Sequence, residues 1–190
     1  MNKLVEVVNK RLSSRTPEIG PSYLRPAAVL VPILVQEAQG KEKLILTRRS
    51  ELLRRQPGDI SFPGGEVEHI DSSLLETALR ESREEVGLKA KDVRILGKMD
   101  QLGTSTGFCI TPFVGCVKGP YPFQINQQVS SLIEVPIADL CSDGVLEVKK
   151  RRSPDGAVRE VYHYHFRGHD IWGITGRLIK EFLELLTNDQ

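Results

Sequence analysis

The first apolar pattern along the chain is helical. Leu4, Val5, Val8 and Leu12 recur at helical spacing and predict an amphipathic helix over residues 3–12. A polar link containing proline, SSRTPEIGPSYLRP, follows. Then the period changes. Ala27 to Val35 (AAVLVPILV) is an apolar run rich in β-branched residues, which predicts a buried strand. Lys43 to Thr47 (KLILT) predicts a second strand, and the intervening EAQGKE predicts a hairpin. GDISFPGG predicts a short strand ending in a Pro-Gly-Gly turn, and residues 73–86 predict a helix. VRILGKMDQL and FCITPFVGCV predict two strands joined by GTSTG; PFQIN predicts another. LIEVPIADL has the pattern of a strand end running into a short helix. VLEVKKRR and VREVYHYHF predict a hairpin about Ser153-Pro154-Asp155-Gly156. Leu178, Ile179, Phe182 and Leu186 mark one face of a closing helix. Strands dominate the middle and helices sit where they could cover a sheet on two sides. The expected fold is one α/β domain on a mixed central sheet, residues 27–190, preceded by a helix and linker in residues 1–26.

The helix at 73–86 carries the densest charge. Ser73 and Glu76 fit a capping box, and Gly87 suits the left-handed residue that stops a helix. Leu75, Ala78, Leu79, Ser82 and Val86 form its apolar side. Glu81, Glu84 and Glu85 lie beside that side within about 100° of arc. They are neighbours at i,i+3 and i,i+4, so they repel one another, and the helix dipole at this end opposes them too. Arg80 and Arg83 offset part of this. Repulsion without a local return marks either a solvated face or a site for a hard cation such as Mg²⁺ or Mn²⁺, which prefers oxygen ligands. Gly64 and Gly65, just upstream, allow the backbone to approach and offer a carbonyl to the same ion.

Composition narrows the classes. With 190 residues, 39% hydrophobic, 27% charged and a net charge of +1, the chain has no global basic surface for nucleic acid. No apolar run approaches the roughly 18 residues of a membrane span, and MNKLVEVVNKRLSSR has no signal-peptide core. Three cysteines at irregular spacing fit no zinc pattern; reduced, mostly buried thiols in a cytoplasmic protein are expected. His163, His165 and His169 are expected to be ordinary strand or surface histidines, and Trp172 a core residue.

Gly65, five residues, Asp71, eight residues, then Arg80-Glu81-Ser82-Arg83-Glu84-Glu85-Val86-Gly87-Leu88 resembles the Nudix box. Asp in place of Glu and the longer second spacer resemble the coenzyme A pyrophosphatase branch; Ser82 departs from the apolar residue usual there. The upstream Leu46-Thr47-Arg48-Arg49-Ser50, Arg54, Gly58 and Phe62-Pro63-Gly64-Gly65 resembles that branch's signature with every spacing kept. The likeness covers roughly residues 27–186.

The resemblance implies a Nudix α/β/α sandwich. It also implies metal-dependent hydrolysis of the diphosphate of coenzyme A or its thioesters, to 3′,5′-ADP and phosphopantetheine. Glu81, Glu85, Glu84 and the Gly65 carbonyl are the implied ligands of Mg²⁺ or Mn²⁺. Glu84 is a ligand or the general base, and Arg80 holds the glutamates in place. Arg48, Ser50, Arg54 and Phe62 are the implied substrate-binding residues; Arg49 and Arg55 are expected to be solvated. Gln128 stands where the branch often has a glutamate, so a downstream base is in doubt, with Glu134 and Glu160 as substitutes. The expected partner is a small-molecule diphosphate, with no nucleic acid and no membrane, and a homodimer is compatible with this. The alternatives are hydrolysis of another nucleoside diphosphate derivative, such as NADH or ADP-ribose, and a nucleotide-binding module without activity. The intact Arg80, Glu81, Glu84 and Glu85 argue against the last.

Overall fold

A strand that is apolar on both faces needs cover on both, and the architecture follows from that requirement. The computed structural model describes residues 2–36, 42–53, 56–152 and 156–187. In chain order the elements are α1 (Lys3–Ser13), β1 (Arg25–Val35), β2 (Lys43–Arg49), β3 (Ile60–Ser61), β4 (Gly64–Glu66) and α2 (Leu74–Val86). After them come β5 (Val93–Lys98), β6 (Leu102–Gly103), β7 (Phe108–Lys118), β8 (Val129–Pro136), α3 (Ile137–Leu140), β9 (Leu146–Arg152), β10 (Val158–Phe166), β11 (His169–Ile171) and α4 (Gly173–Thr187).

β1 is the centre. It runs parallel to β7 over its whole length, from Arg25 opposite Phe108 to Val35 opposite Lys118. Its other edge is shared: β2 pairs antiparallel at Ile33 and Leu34, and β4 pairs antiparallel at Ala27 to Val29. β3 and β8 extend the sheet beyond β2, and β5 and β6 extend it beyond β7, all antiparallel. The sheet is therefore mixed. On one face Val31 and Ile33 pack with Leu44 and Leu46, with Val5, Val8 and Leu12 of α1, and with Leu178, Ile179 and Phe182 of α4. On the other, Ala28, Leu30, Leu34 and Ile45 pack with Ala78 and Val86 of α2 and with Leu88. Helices cover both faces, giving the expected α/β/α layers. None of the described helices is long and apolar enough to cross a membrane.

Several elements differ from the sequence expectations. The hairpin of β9 and β10 forms, but β9, β10 and β11 make a separate three-stranded antiparallel sheet. Residues 37–41 and 153–155, which carry the two predicted turns, lie outside the described residues. PFQIN is not a strand. Its amides go to the end of α2 instead, Gln124 N–H to the Val86 carbonyl (3.0 Å) and Asn126 N–H to the Glu85 carbonyl (3.1 Å). Those bonds satisfy helix-end carbonyls and leave none for a ladder. Gly64 and Gly65 sit in a ladder rather than a turn. Trp172 is 42% exposed, stacked on the buried His163 rather than placed in the core. His163 in turn is paired through Nδ1 with Asp170 at 3.0 Å. Of the thiols, Cys109 is buried, Cys116 half-buried and Cys141 exposed.

Candidate active site

α2 is positioned by its ends. Ser73 Oγ accepts the Glu76 N–H (3.2 Å), as the capping box requires. The reciprocal half is displaced by one residue, because the Glu76 carboxylate accepts from the Ser72 amide (2.6 Å) and hydroxyl (2.5 Å). At the other end Gly87 is left-handed (φ 70°). Its N–H reaches the Arg83 carbonyl (3.0 Å) and the Leu88 N–H reaches that of Ser82 (3.2 Å), a Schellman closure.

The buried face of α2 keeps Ala78, Ser82 and Val86 of the expected apolar side but reaches onto the charged side. Leu75 and Leu79 are only half-buried, whereas Thr77, Ala78, Arg80, Ser82, Glu85 and Val86 are buried. The Glu81 and Glu85 carboxylates face β4. The cause lies in the partner strand. A Cβ on Gly64 would stand 2.6 Å from Val29 Cα, and one on Gly65 would stand 2.6 Å from Glu81 Cδ and nearer still to its Oε1. Gly65 thus leaves the space that Glu81 occupies, while Gly64 lets β4 lie close against β1.

Arg80 ties the surrounding acids together. Its Nε and Nη2 make a bidentate pair with Asp71 (2.9 and 3.0 Å), and Nη2 also donates to the Glu66 carbonyl (3.1 Å). Its Nη1 donates to Glu81 Oε1 (2.9 Å) and stands 3.5 Å from both Glu68 and Glu84. Thr77 Oγ1 adds a bond to Asp71 at 2.9 Å. Arg80 therefore holds the Asp71 carboxyl far below the usual carboxylate range, mainly by hydrogen bonding.

The three helix glutamates differ in environment. Glu84 is 46% exposed in its side chain. Burial pushes the Glu81 carboxyl up, against the pull of Arg80. Glu85 is buried further. Burial raises its carboxyl to about 7, and the Glu81 charge adds to this, while Arg49 and a hydrogen bond from the Gly64 amide act the other way. Its Oε2 is buried with no hydrogen-bond partner. A buried carboxylate oxygen without a donor is costly unless a cation faces it, and all the donors here are hard oxygens, so the residues fit Mg²⁺ or Mn²⁺. Among the described residues no three acidic, histidine or cysteine side chains form a ready-made metal cage. Glu81 and Glu84 turn toward Arg80 instead.

The upstream residues divide. Arg48 stands 3.5 Å from Glu51 and is half-buried. Ser50 is buried; its Oγ accepts the Leu52 N–H (3.3 Å), which makes it the cap of the following turn. Arg54 and Arg55 lie outside the described residues. Phe62, expected at the substrate, is 2% exposed and packs in the core next to the glycine strand. Gly58 is left-handed (φ 72°). Gln128 lends its carbonyl to the Ser50 amide (2.8 Å), Glu134 pairs with Lys43 (2.8 Å), and Glu160 accepts from the Tyr162 hydroxyl (3.0 Å). Both glutamates proposed as substitute bases are thus already engaged. Arg49, expected to be solvated, instead has a buried Nε. Strand alternation was the available signal, since Arg49 shares a face with Ile45, which packs under α2. An open depression beyond the end of α2, lined by Gly87, Lys89, Asp92 and Tyr121, includes none of these residues.

The family model described as NUDIX domain matches residues 24–149. A protein of Yersinia pestis named "Uncharacterized Nudix hydrolase NudL" is 37% identical over 165 residues, 84% of this chain and 79% of the relative. A MutT/nudix family protein from Enterococcus faecalis superposes with a TM-score of 0.56 at 14% identity, covering 97% of this chain and 70% of that one. The Ap4A hydrolase of C. elegans gives 0.51 at 18% identity, covering 59% of this chain and 80% of its own.

Proposed function

The chain belongs to the Nudix hydrolase family, and from that premise we propose that it hydrolyses the diphosphate of coenzyme A or its thioesters, using Mg²⁺ or Mn²⁺ held on the acidic face of α2. The observation that carries the metal reading is the buried, unpartnered Oε2 of Glu85 beside Glu81 and over the glycine strand. Glu81, Glu85 and the Gly65 carbonyl would hold the ion, with Glu84 completing the set or acting as base. When bound, the cation neutralises and orients the diphosphate and activates water.

The chain's own groups do the rest. Arg80 is fixed by its buried bidentate bond to Asp71 and in turn holds Glu81 in place, where it would meet the cation. Glu84 is solvent-facing and within reach of Arg80, which suits it to take the proton of the attacking water. The water oxygen bonds to one phosphorus of the diphosphate as its proton passes to the Glu84 carboxylate, and the bridging P–O bond breaks in line, so that the other phosphate leaves with the bridging oxygen. The coenzyme A assignment rests on the upstream signature at Leu46–Ser50, Arg54, Gly58 and Phe62–Gly65. Within it Arg54 would meet phosphate, Ser50 shapes the turn, Phe62 supports the glycine strand, and Arg48 is paired with Glu51.

The test is to incubate the protein with coenzyme A, dephospho-coenzyme A, NADH, ADP-ribose and a diadenosine polyphosphate, with Mg²⁺ or Mn²⁺, and to identify products by mass. Release of 3′,5′-ADP from coenzyme A, faster than turnover of the others, is expected. Preferential cleavage of ADP-ribose, NADH or the diadenosine compound would move the substrate elsewhere in the family. No cleavage of any would favour a binding module.

A further inference from the structure

We propose that Arg49 grips the diphosphate from the side opposite the carboxylates and is a substrate-binding residue in its own right. This inference rests on the reading of α2 as a diphosphate site, though not on which nucleotide carries the diphosphate.

The first argument is placement. Along β2, Leu44 and Leu46 belong to the apolar layer under α1 and α4, while Ile45 belongs to the layer under α2. Alternation puts Arg49 on the α2 side and Arg48 on the other. The two adjacent arginines therefore face opposite ways.

The second argument is rigidity. The Arg49 N–H donates to the Asp59 carbonyl (2.9 Å), and the Arg49 carbonyl accepts from Ser130 Oγ (3.3 Å). The register of β2 with β8 shifts at this point, so that Arg48 opposes Ser131 and Arg49 opposes Val129. Ser130 is the extra residue of that bulge, and its hydroxyl also reaches the Arg48 carbonyl (3.1 Å). Bulges recur where a side chain must be re-aimed.

The third argument is unmet bonding. Arg49 Nε is buried without a hydrogen-bond partner, as is Glu85 Oε2. The positive charge of Arg49 is felt at Glu85. Two buried atoms of oppositely charged side chains, near enough for one charge to act on the other yet not bonded to each other, suit a ligand that bonds to both. A cation on Glu85 whose anionic ligand reaches Arg49 does so. A diphosphate has several anionic oxygens, enough to meet a cation and a guanidinium at once, and the guanidinium fork suits phosphate.

The test uses methylenediphosphonate, which is not hydrolysed and carries no nucleotide. Its binding in saturating Mg²⁺ is measured by calorimetry for wild type, Arg49→Gln and Arg49→Lys, together with the binding of Mg²⁺ alone and the melting temperature. Arg49→Gln should weaken methylenediphosphonate binding about tenfold to a hundredfold, the worth of a charge-assisted bond. Mg²⁺ alone should bind at least as tightly as to wild type, because a nearby positive charge has been removed. Arg49→Lys should fold like wild type and recover part of the affinity. Unchanged methylenediphosphonate binding in both variants overturns the proposal. So does an equal loss of Mg²⁺ and methylenediphosphonate binding, which would make Arg49 a mere support of Glu85. If wild type itself binds neither Mg²⁺ nor methylenediphosphonate, the reading of α2 as a metal-diphosphate site fails first.

Discussion

Glu85→Gln should stabilise the metal-free protein at alkaline pH and do much less at acid pH. Folding raises this carboxyl from the ordinary 4.5 to about 7, chiefly by burial. Between those values the folded protein keeps a proton that the unfolded chain has released. Stability therefore falls as pH rises through that window, and the penalty is complete above about 7. At about 1.36 kcal/mol per pH unit the gap is worth roughly 3 kcal/mol, most of which accrues between pH 5 and 8. Glutamine keeps the shape and removes the titration. In EDTA, the variant-minus-wild-type difference should become more favourable to the variant by roughly 2–3 kcal/mol on going from pH 5 to pH 8. Urea denaturation followed by circular dichroism at the two pH values measures it. Saturating Mg²⁺ at pH 8 should then cancel most of that gap, since a ligand at a hundred times its Kd stabilises by about 2.7 kcal/mol and the variant has lost a charged ligand. The same difference at both pH values would refute the burial argument; equal Mg²⁺ stabilisation of both proteins would refute the ligand assignment.

Arg80→Ala should cost about 3–5 kcal/mol, because it strands Asp71, whose side chain is 3% exposed, without its bidentate partner; urea midpoints measure this. Since the Asp71 carboxyl is held far below its ordinary 3.8, its contribution is present above that value and lost as pH falls below it, so wild type should lose more stability in acid than Arg80→Ala does. Gly64→Ala and Gly65→Ala should fail differently. The first drives a methyl into the backbone of β1 and should lower the melting temperature sharply, whereas the second meets the end of the Glu81 side chain and should weaken Mg²⁺ binding and turnover with a smaller thermal loss. Equal thermal losses in the two variants would count against this division.

Much of this was legible from residue pattern. The apolar run at Ala27–Val35 has cover on both faces, and the caps of α2 fall where Ser73 and Gly87 place them. The burial of the charged side of α2 was not legible from the helix, because what admits Glu81 is the absence of a side chain at Gly65 of β4. A helical wheel ranks faces by their own residues and is blind to an empty neighbour. PFQIN has the composition of a strand, yet its amides bond to the end of α2. VLEVKKRR is a strand as expected, but which sheet it joins depends on pairing with distant residues. Arg48 and Arg49 are chemically identical in the sequence, and only the facing of β2 separates them.

The extra residue that sets this chain's spacing apart lies between Asp71 and Arg80, and β1 explains why the insertion does no harm. β4 takes its register from Ala27 to Val29, and α2 rests on the same strand through Ala28 and Leu30. Both halves of the acidic site are thus surveyed from one common datum. The loop between them only has to span the distance, with Asp71 reaching back to Arg80. Its length is slack in the design, free to change by a residue while the spacing of glycine and glutamate stays put.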